Sequence, residues 1–167
     1  GLGHAILTGK PLIGNEPFAV ILADDLCDCS EKSVISQMIE IYSQHQCSVV
    51  AIEEVPMNQT HKYGVIAGKL VKNSINTYQV SDMVEKPKEK DAPSNMAIIG
   101  RYILTPDIFN ILENIKPDKS GEIQITDALN IQAKQGKVVA YKFKGKRFDC
   151  GSVKGYLEAN NYFAKNL

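Results

Sequence analysis

The stretch that decides the fold is Phe18-Ala19-Val20-Ile21-Leu22-Ala23-Asp24-Asp25, read together with Ser48-Val49-Val50-Ala51-Ile52 further along. Phe18–Leu22 is an unbroken apolar run between Pro17 and an acidic pair. Its length and β-branched content predict a strand buried on both faces, as in a parallel sheet. Between the two runs, Val34, Ile35, Met38, Ile39 and Tyr42 recur at helical spacing, so a helix reaches to about His45. Ser30 is its expected cap, with Glu31 in the positive first turn. Ser48–Ile52 then reads as a second strand. Strand, helix and strand in this order predict a right-handed crossover unit.

Working outward, Gly64–Ala67 and Thr77–Val84 read as two strands joined across the polar turn Lys72-Asn73-Ser74. Met96–Leu104 is a further strand, and Pro106 suits the first turn of a helix reaching about Ile115. A helix from Thr126 stops at Gly136. Val138–Phe143 reads as a strand, Phe148–Gly151 as a short special segment, and 153–166 as a helix. The expected fold is a single α/β domain over residues 1–167, with a mixed sheet flanked by helices.

Composition narrows the class. The chain has 167 residues, 44% apolar and 23% charged, enough for one real core. Lysine plus arginine and aspartate plus glutamate are equal at 19 each, without the basic footprint of a nucleic-acid binder. No apolar run has the length of a membrane span and no signal peptide is visible, so the reading is cytoplasmic. Cys27, Cys29, Cys47 and Cys150 lack the spacing of a zinc site and read as reduced thiols. The opening Gly1-Leu2-Gly3-His4-Ala5 has no initiator Met and reads as an interior segment of a longer protein.

Three places offer chemistry. Asp24 and Asp25 follow a strand at its carboxyl end, where ligands of open α/β sheets gather. A carboxylate there can help hold Mg²⁺, which typically takes one or two of them. A solvated turn or a helix cap explains the pair equally well. Asp149, in Phe148-Asp149-Cys150-Gly151, needs a partner if buried. A cation shared with Asp24 would supply it, although an N-cap is the stronger reading of that segment alone. Glu85-Lys86-Pro87 ends a strand with a carboxylate beside an ammonium. Neighbours in a regular strand face opposite ways. Pro87 ends the pairing and is expected to hold Lys86 extended, so that a twist or bulge brings both charges to one ligand. A surface pair leading into Lys88-Glu89-Lys90-Asp91 is the commoner meaning of such a triplet. Tyr63-Gly64 and Gly100 would let a ligand approach the backbone. Lys142, Lys144, Lys146 and Arg147 read as a solvated strand face, and the histidines as scattered.

The order of these elements is more telling than any one of them. Gly1-Leu2-Gly3-His4-Ala5, Leu22-Ala23-Asp24, Tyr63-Gly64-Val65, Val84-Glu85-Lys86-Pro87, Ser94-Asn95, Gly100-Arg101-Tyr102, Gly121-Glu122-Ile123-Gln124-Ile125-Thr126-Asp127 and Phe148-Asp149-Cys150-Gly151 stand in one line. The chain thereby resembles the sugar nucleotidyltransferase family, in its bacterial branch of UTP–glucose-1-phosphate uridylyltransferases, over their C-terminal two-thirds. The resemblance implies a Rossmann-like mixed sheet of the nucleotide-diphospho-sugar transferase type. It implies Mg²⁺ as cofactor, UTP and glucose 1-phosphate as substrates, UDP-glucose and pyrophosphate as products, and a homo-oligomer. It implies that Asp24 and Asp149 hold the metal and that Gly1 meets the uracil ring. Gly64 would meet the glucose, Glu85 the sugar hydroxyls and Lys86 the sugar phosphate, with Asp24, Asp149 and Lys86 catalytic. The family's G-x-G-T-R and P-x-x-K elements, which cradle the nucleoside triphosphate, do not occur in this sequence. A related glucose-1-phosphate thymidylyltransferase and a catalytically silent sugar-nucleotide-binding module remain alternatives.

Overall fold

The computed structural model describes residues 1–165. Six strands form the main sheet: β1 (Phe18–Ile21), β3 (Ser48–Glu54), β4 (Gly64–Leu70), β5 (Thr77–Glu85), β6 (Met96–Leu104) and β7 (Val138–Lys142). Their order is β1-β6-β3-β7-β5-β4, and only β3 and β7 are parallel neighbours. The remaining strands, β2 (Asp25–Asp28) and β8 (Lys146–Asp149), make a separate antiparallel ribbon.

The sheet is mixed as expected, but β1 departs from its reading. It pairs antiparallel with β6 and stands at the end of the strand order. Its burial alternates, and Ile21 is 58% exposed. Among the described residues β6 is the only neighbour of β1, whose apolar run is covered less completely than that of the central strand β3. β1 and β3 both run antiparallel to β6, hence parallel to each other, with β6 lying between them.

Helices cover both faces. On one, α1 (Leu2–Thr8), α4 (Ile108–Asn114) and α5 (Ile125–Lys134) contribute Ile6, Phe109, Leu112 and Leu129 to a core with Val50, Ile52 and Ile66. Phe18 and Phe109 stack there with ring centroids 5.0 Å apart. On the other, α3 (Val34–His45) packs Val34 and Met38 against Val49, Ala51 and Ile99. A short α2 (Lys10–Ile13) follows α1.

Two helix starts differ from their reading. Ser33, rather than Ser30, caps α3: its Oγ accepts the Ser36 amide at 3.2 Å. The Lys32 carbonyl is held outside the helix by the Gln37 side-chain amide at 2.8 Å, which keeps Glu31 out of the first turn. Pro106 lies in the turn before α4, and its carbonyl accepts the Phe109 amide. The last helix, α6 (Val153–Ala164), agrees with expectation as far as it is described; Asn166 lies outside the described residues. Tyr162 and Phe163 pack on Phe148 of β8, with centroids 4.9 and 5.7 Å away, while Tyr156 and Leu157 stay more than half exposed. All four cysteines are unpaired, and burial pushes the Cys27 thiol up to about 11. No helix among the described residues is long and apolar enough to cross a membrane.

Candidate functional site

The β2–β8 ribbon builds one wall of the site. Its register sets Asp25 opposite Asp149 and Cys27 opposite Arg147. Side chains alternate along a strand, so these four share one face. Leu26, Asp28, Lys146 and Phe148 take the other, where Lys146 lies over the rings of Phe148 and Tyr162. The ribbon continues in a tie from the Cys150 amide to the Asp24 carbonyl at 2.7 Å, so Asp24 and Asp149 come together at its end. A Cβ placed on Gly151 would stand 3.2 Å from Asp149 Oδ1 and 3.2 Å from Asp24 Oδ2. Both carboxylates therefore flank one small space that a glycine leaves open.

This donor set suits Mg²⁺. Two carboxylates border a cavity of 390 Å³, which leaves room for waters and substrate oxygens to complete an octahedron. Among the described residues there is no group of three or more His, Cys, Asp or Glu able to form an all-protein cage. The fit is to a cation that keeps much of its outer coordination.

Asp25, read with Asp24 as a candidate cation carboxylate but not among the metal residues that the resemblance implies, bonds to protein groups. It is buried, and its Oδ2 accepts the Gly100 amide at 2.5 Å while its Oδ1 accepts Arg147 Nε. A Cβ on Gly100 would meet Leu22 Cβ at 2.6 Å and Asp25 Oδ2 at 2.7 Å. That glycine makes room for protein atoms on its Cβ side, while the residue itself lines the cavity. Arg147 also departs from its reading as part of a solvated face. Only 7% of its side chain is exposed, and Nη1 bonds Glu53 while Nη2 lies 3.7 Å from Asp149 Oδ2. Burial opposes its charge, but the bonds to Asp25 and the field of Glu53 outweigh it and hold its pKa above the ordinary arginine value. A signal was present: Arg147 and Asp149 are two residues apart on one strand and so must share a face.

The opposite wall comes from β4 and β5. Gly64 pairs with Glu85 across the ladder, and the Tyr63 carbonyl accepts the Lys86 amide at 3.0 Å. Lys86 is not extended; it has φ +44°, left-handed backbone that a side chain rarely adopts. This turn, closed by the Tyr63 carbonyl, takes the place of the twisted extended end expected from Pro87. Lys86 Nζ lies 3.9 Å from Glu85 Oε1, and both residues line the cavity. Strain of this kind gathers at ligand sites.

Thr126 fixes the second oxygen of that carboxylate: its hydroxyl donates to Glu85 Oε2 at 2.5 Å. A Cβ on Gly64 would stand 3.0 Å from Thr126 Oγ1 and 3.2 Å from Glu85 Oε2, so the glycine leaves space for this pair. Thr126 was read from sequence only as a helix start. The loop before it is shaped by Asp118, whose Oδ1 accepts the Ser120 and Glu122 amides at 2.8 and 3.0 Å.

Asp24, Gly64, Glu85, Lys86 and Asp149 thus line one cavity, joined by Tyr63, Thr126 and Arg147. Gly1 lies outside that lining; it caps α1 against Ile123 and Glu122, and its neighbour Leu2 reaches the cavity instead. Ser94-Asn95 serve the fold: Ser94 Oγ donates to the Ile66 carbonyl at 2.6 Å, and the Asn95 carbonyl accepts the Val55 amide.

The chain belongs to the nucleotidyl transferase family, whose model matches residues 1–166. Within it, the chain is 64% identical to the UTP–glucose-1-phosphate uridylyltransferase of Pseudomonas aeruginosa PAO1, over all of this chain and 60% of that protein. It is 45% identical to the uridylyltransferase of Staphylococcus epidermidis, over 98% of this chain and 56% of the relative. A crystal structure of a UDP-glucose pyrophosphorylase complexed with UDP-glucose superposes with TM-score 0.95 at 61% identity, covering all of this chain and 63% of the other. A UTP-bound enzyme from Acinetobacter baumannii gives 0.84 at 36% identity, covering 98% and 56%. The chain therefore spans about 60% of the length of the first of these relatives.

Proposed function

We propose that this chain supplies the sugar-phosphate and metal-binding part of a UTP–glucose-1-phosphate uridylyltransferase. The observation that carries this reading is the Glu85–Lys86 pair, whose charged groups lie 3.9 Å apart and which lines one cavity together with Asp24 and Asp149. The relatives and the UDP-glucose complex support it by similarity over this chain's full length.

In this reading Glu85 Oε1 accepts bonds from sugar hydroxyls while Thr126 keeps Oε2 from turning away. Lys86, on an exposed stem, offers a compact charge to the sugar phosphate. A phosphate oxygen so held is aimed at the α-phosphorus of UTP; the new P–O bond forms as the bond to pyrophosphate breaks. Lys86 lowers the repulsion between the two anionic partners, and positioning supplies the rest of the rate. Gly64 and Gly151 keep the space between the walls clear. Mg²⁺ held by Asp24 and Asp149 would supply charge neutralisation on the reacting phosphates. Gly1 as the contact to the base, the cytoplasm as compartment and a homo-oligomeric state belong to the same proposal.

The test is Glu85→Ala in the full-length protein, with both substrates titrated separately. Glucose 1-phosphate affinity is expected to fall about 10- to 100-fold, the loss of one or two bonds to a charged acceptor. UTP affinity should stay within about twofold. Equal losses for both substrates would mean a damaged fold rather than a sugar clamp.

A further inference from the structure

We infer that Tyr63 is a positioning residue that holds the Asp149 carboxylate in register with the sugar-phosphate clamp; this rests on the reading of Asp149 as a metal ligand. Tyr63 touches both walls of the cavity. Its carbonyl accepts the Lys86 amide at 3.0 Å, and its hydroxyl donates to Asp149 Oδ2 at 3.1 Å. No other residue described at this site bonds the clamp through its main chain and a cavity carboxylate through its side chain.

Tyr63 is itself held firmly. Its amide donates to the Thr60 carbonyl at 3.1 Å, ending the short helical turn Met57–Lys62, and its backbone is extended there. The guanidinium of Arg147 lies over its ring, 5.2 Å from the centroid, and Arg147 is locked in turn by Asp25 and Glu53. The hydroxyl therefore has a fixed reach. On the other side of the carboxylate, Asp149 Oδ1 accepts the Gly151 amide at 3.2 Å. Asp149 Oδ1 thus has the Gly151 amide, and Oδ2 has the Tyr63 hydroxyl with Arg147 Nη2 farther off at 3.7 Å, which leaves lone pairs on the carboxylate for a cation. Outer partners of ligating carboxylates orient them, and losing one typically costs about 10- to 100-fold in metal affinity.

The sheet would survive without the hydroxyl. Tyr63→Phe keeps the ring beneath Arg147 and the carbonyl bond to Lys86, and removes the hydroxyl that serves Asp149 and also reaches the Arg147 side chain, which Asp25 and Glu53 still hold. That substitution separates positioning from folding.

The experiment measures Mn²⁺ affinity by electron paramagnetic resonance in the full-length protein, its Tyr63→Phe variant and an Asp149→Asn variant. Metal-free glucose 1-phosphate affinity and the kinetic constants are measured on the same samples. For Tyr63→Phe, Mn²⁺ should bind about 10-fold more weakly. Glucose 1-phosphate affinity should stay within about twofold, and kcat should fall while KM for the sugar phosphate holds. Mn²⁺ affinity within about twofold of the parent, with Asp149→Asn deficient, would overturn the role of Tyr63 and leave Asp149 a ligand. An Asp149→Asn variant that binds Mn²⁺ like the parent would remove the metal reading, and the role of Tyr63 with it. Parallel losses of metal and sugar phosphate in Tyr63→Phe would make Tyr63 a folding residue and equally overturn the proposal.

Discussion

Gly155→Ala should disable the site from outside it. Gly155 lies in the first turn of α6, and a Cβ built there would stand 1.9 Å from the Asp149 carbonyl oxygen and 2.7 Å from its carbon. Both partners in this clash are backbone, so no rotamer can relieve it. Bringing the carbonyl contact out to 3.0 Å takes a shift of about 1.1 Å between α6 and β8, a distance at which positioned chemistry loses roughly 100-fold. The aromatic packing of Phe148 with Tyr162 and Phe163 resists a retreat of the helix and directs part of the shift into Asp149. Overpacking of this kind costs about 1–3 kcal/mol, which leaves a domain of ordinary stability folded. In the full-length protein, pyrophosphate release should fall about 100-fold, while urea unfolding shows a loss of about 1–3 kcal/mol. Turnover within about threefold of the parent, despite the stability loss, would show that the helix absorbs the clash without moving Asp149, and the reasoning would fail.

Two further expectations concern charge. Arg147→Met leaves the buried Asp25 without its partner, so urea unfolding should show a loss of about 3–5 kcal/mol; a change below about 1 kcal/mol would mean that the acidic cluster does not depend on this cation. Asp118, bonded first by the Ser120 hydroxyl and then by the Glu122 amide and Gln124, has its carboxyl held below the usual range. Its contribution to the loop is present above the ordinary carboxylate value of about 3.9 and is lost as pH falls through the depressed folded value. Amide NMR shifts of Ser120 and Glu122 should accordingly stay flat from neutral pH down to about 4, and a transition at or above that pH would refute the assignment.

Much of the fold was legible wherever local signals agreed with pairing. β6 runs from Met96 to Leu104 as read, because its apolar run is bounded by Ser94-Asn95 and by Pro106. The turn at Lys72-Asn73-Ser74 likewise announced the β4–β5 hairpin, and Asn73 takes the positive φ that such turns favour. β2 could not be seen. Asp25-Leu26-Cys27-Asp28 has no strong strand former in sequence, and it is extended because β8 pairs with it. For the site, Asp24, Gly64, Glu85, Lys86 and Asp149 were legible as a set only through their order along the chain. Taken singly, each had an ordinary explanation. Arg147 was hidden among lysines whose side chains are solvated, and Thr126 inside a helix start. What sets these two apart is the company that the fold gives them, which spacing alone does not report.

The β2–β8 ribbon also has a history in time. Arg147 and the carboxylate it neutralises are 122 residues apart in sequence. At ordinary synthesis rates of about 5–20 residues per second, roughly 6–25 seconds pass between the emergence of Asp25 and that of Arg147. Through that interval Asp25 and Glu53 have no guanidinium to join them, and the segment that becomes β2 has no strand to pair with. The wall that carries Asp24 and Asp149 closes only when β8 arrives. β7, which the sheet needs between β3 and β5, arrives only just ahead of β8, so the core and the chemistry are completed together.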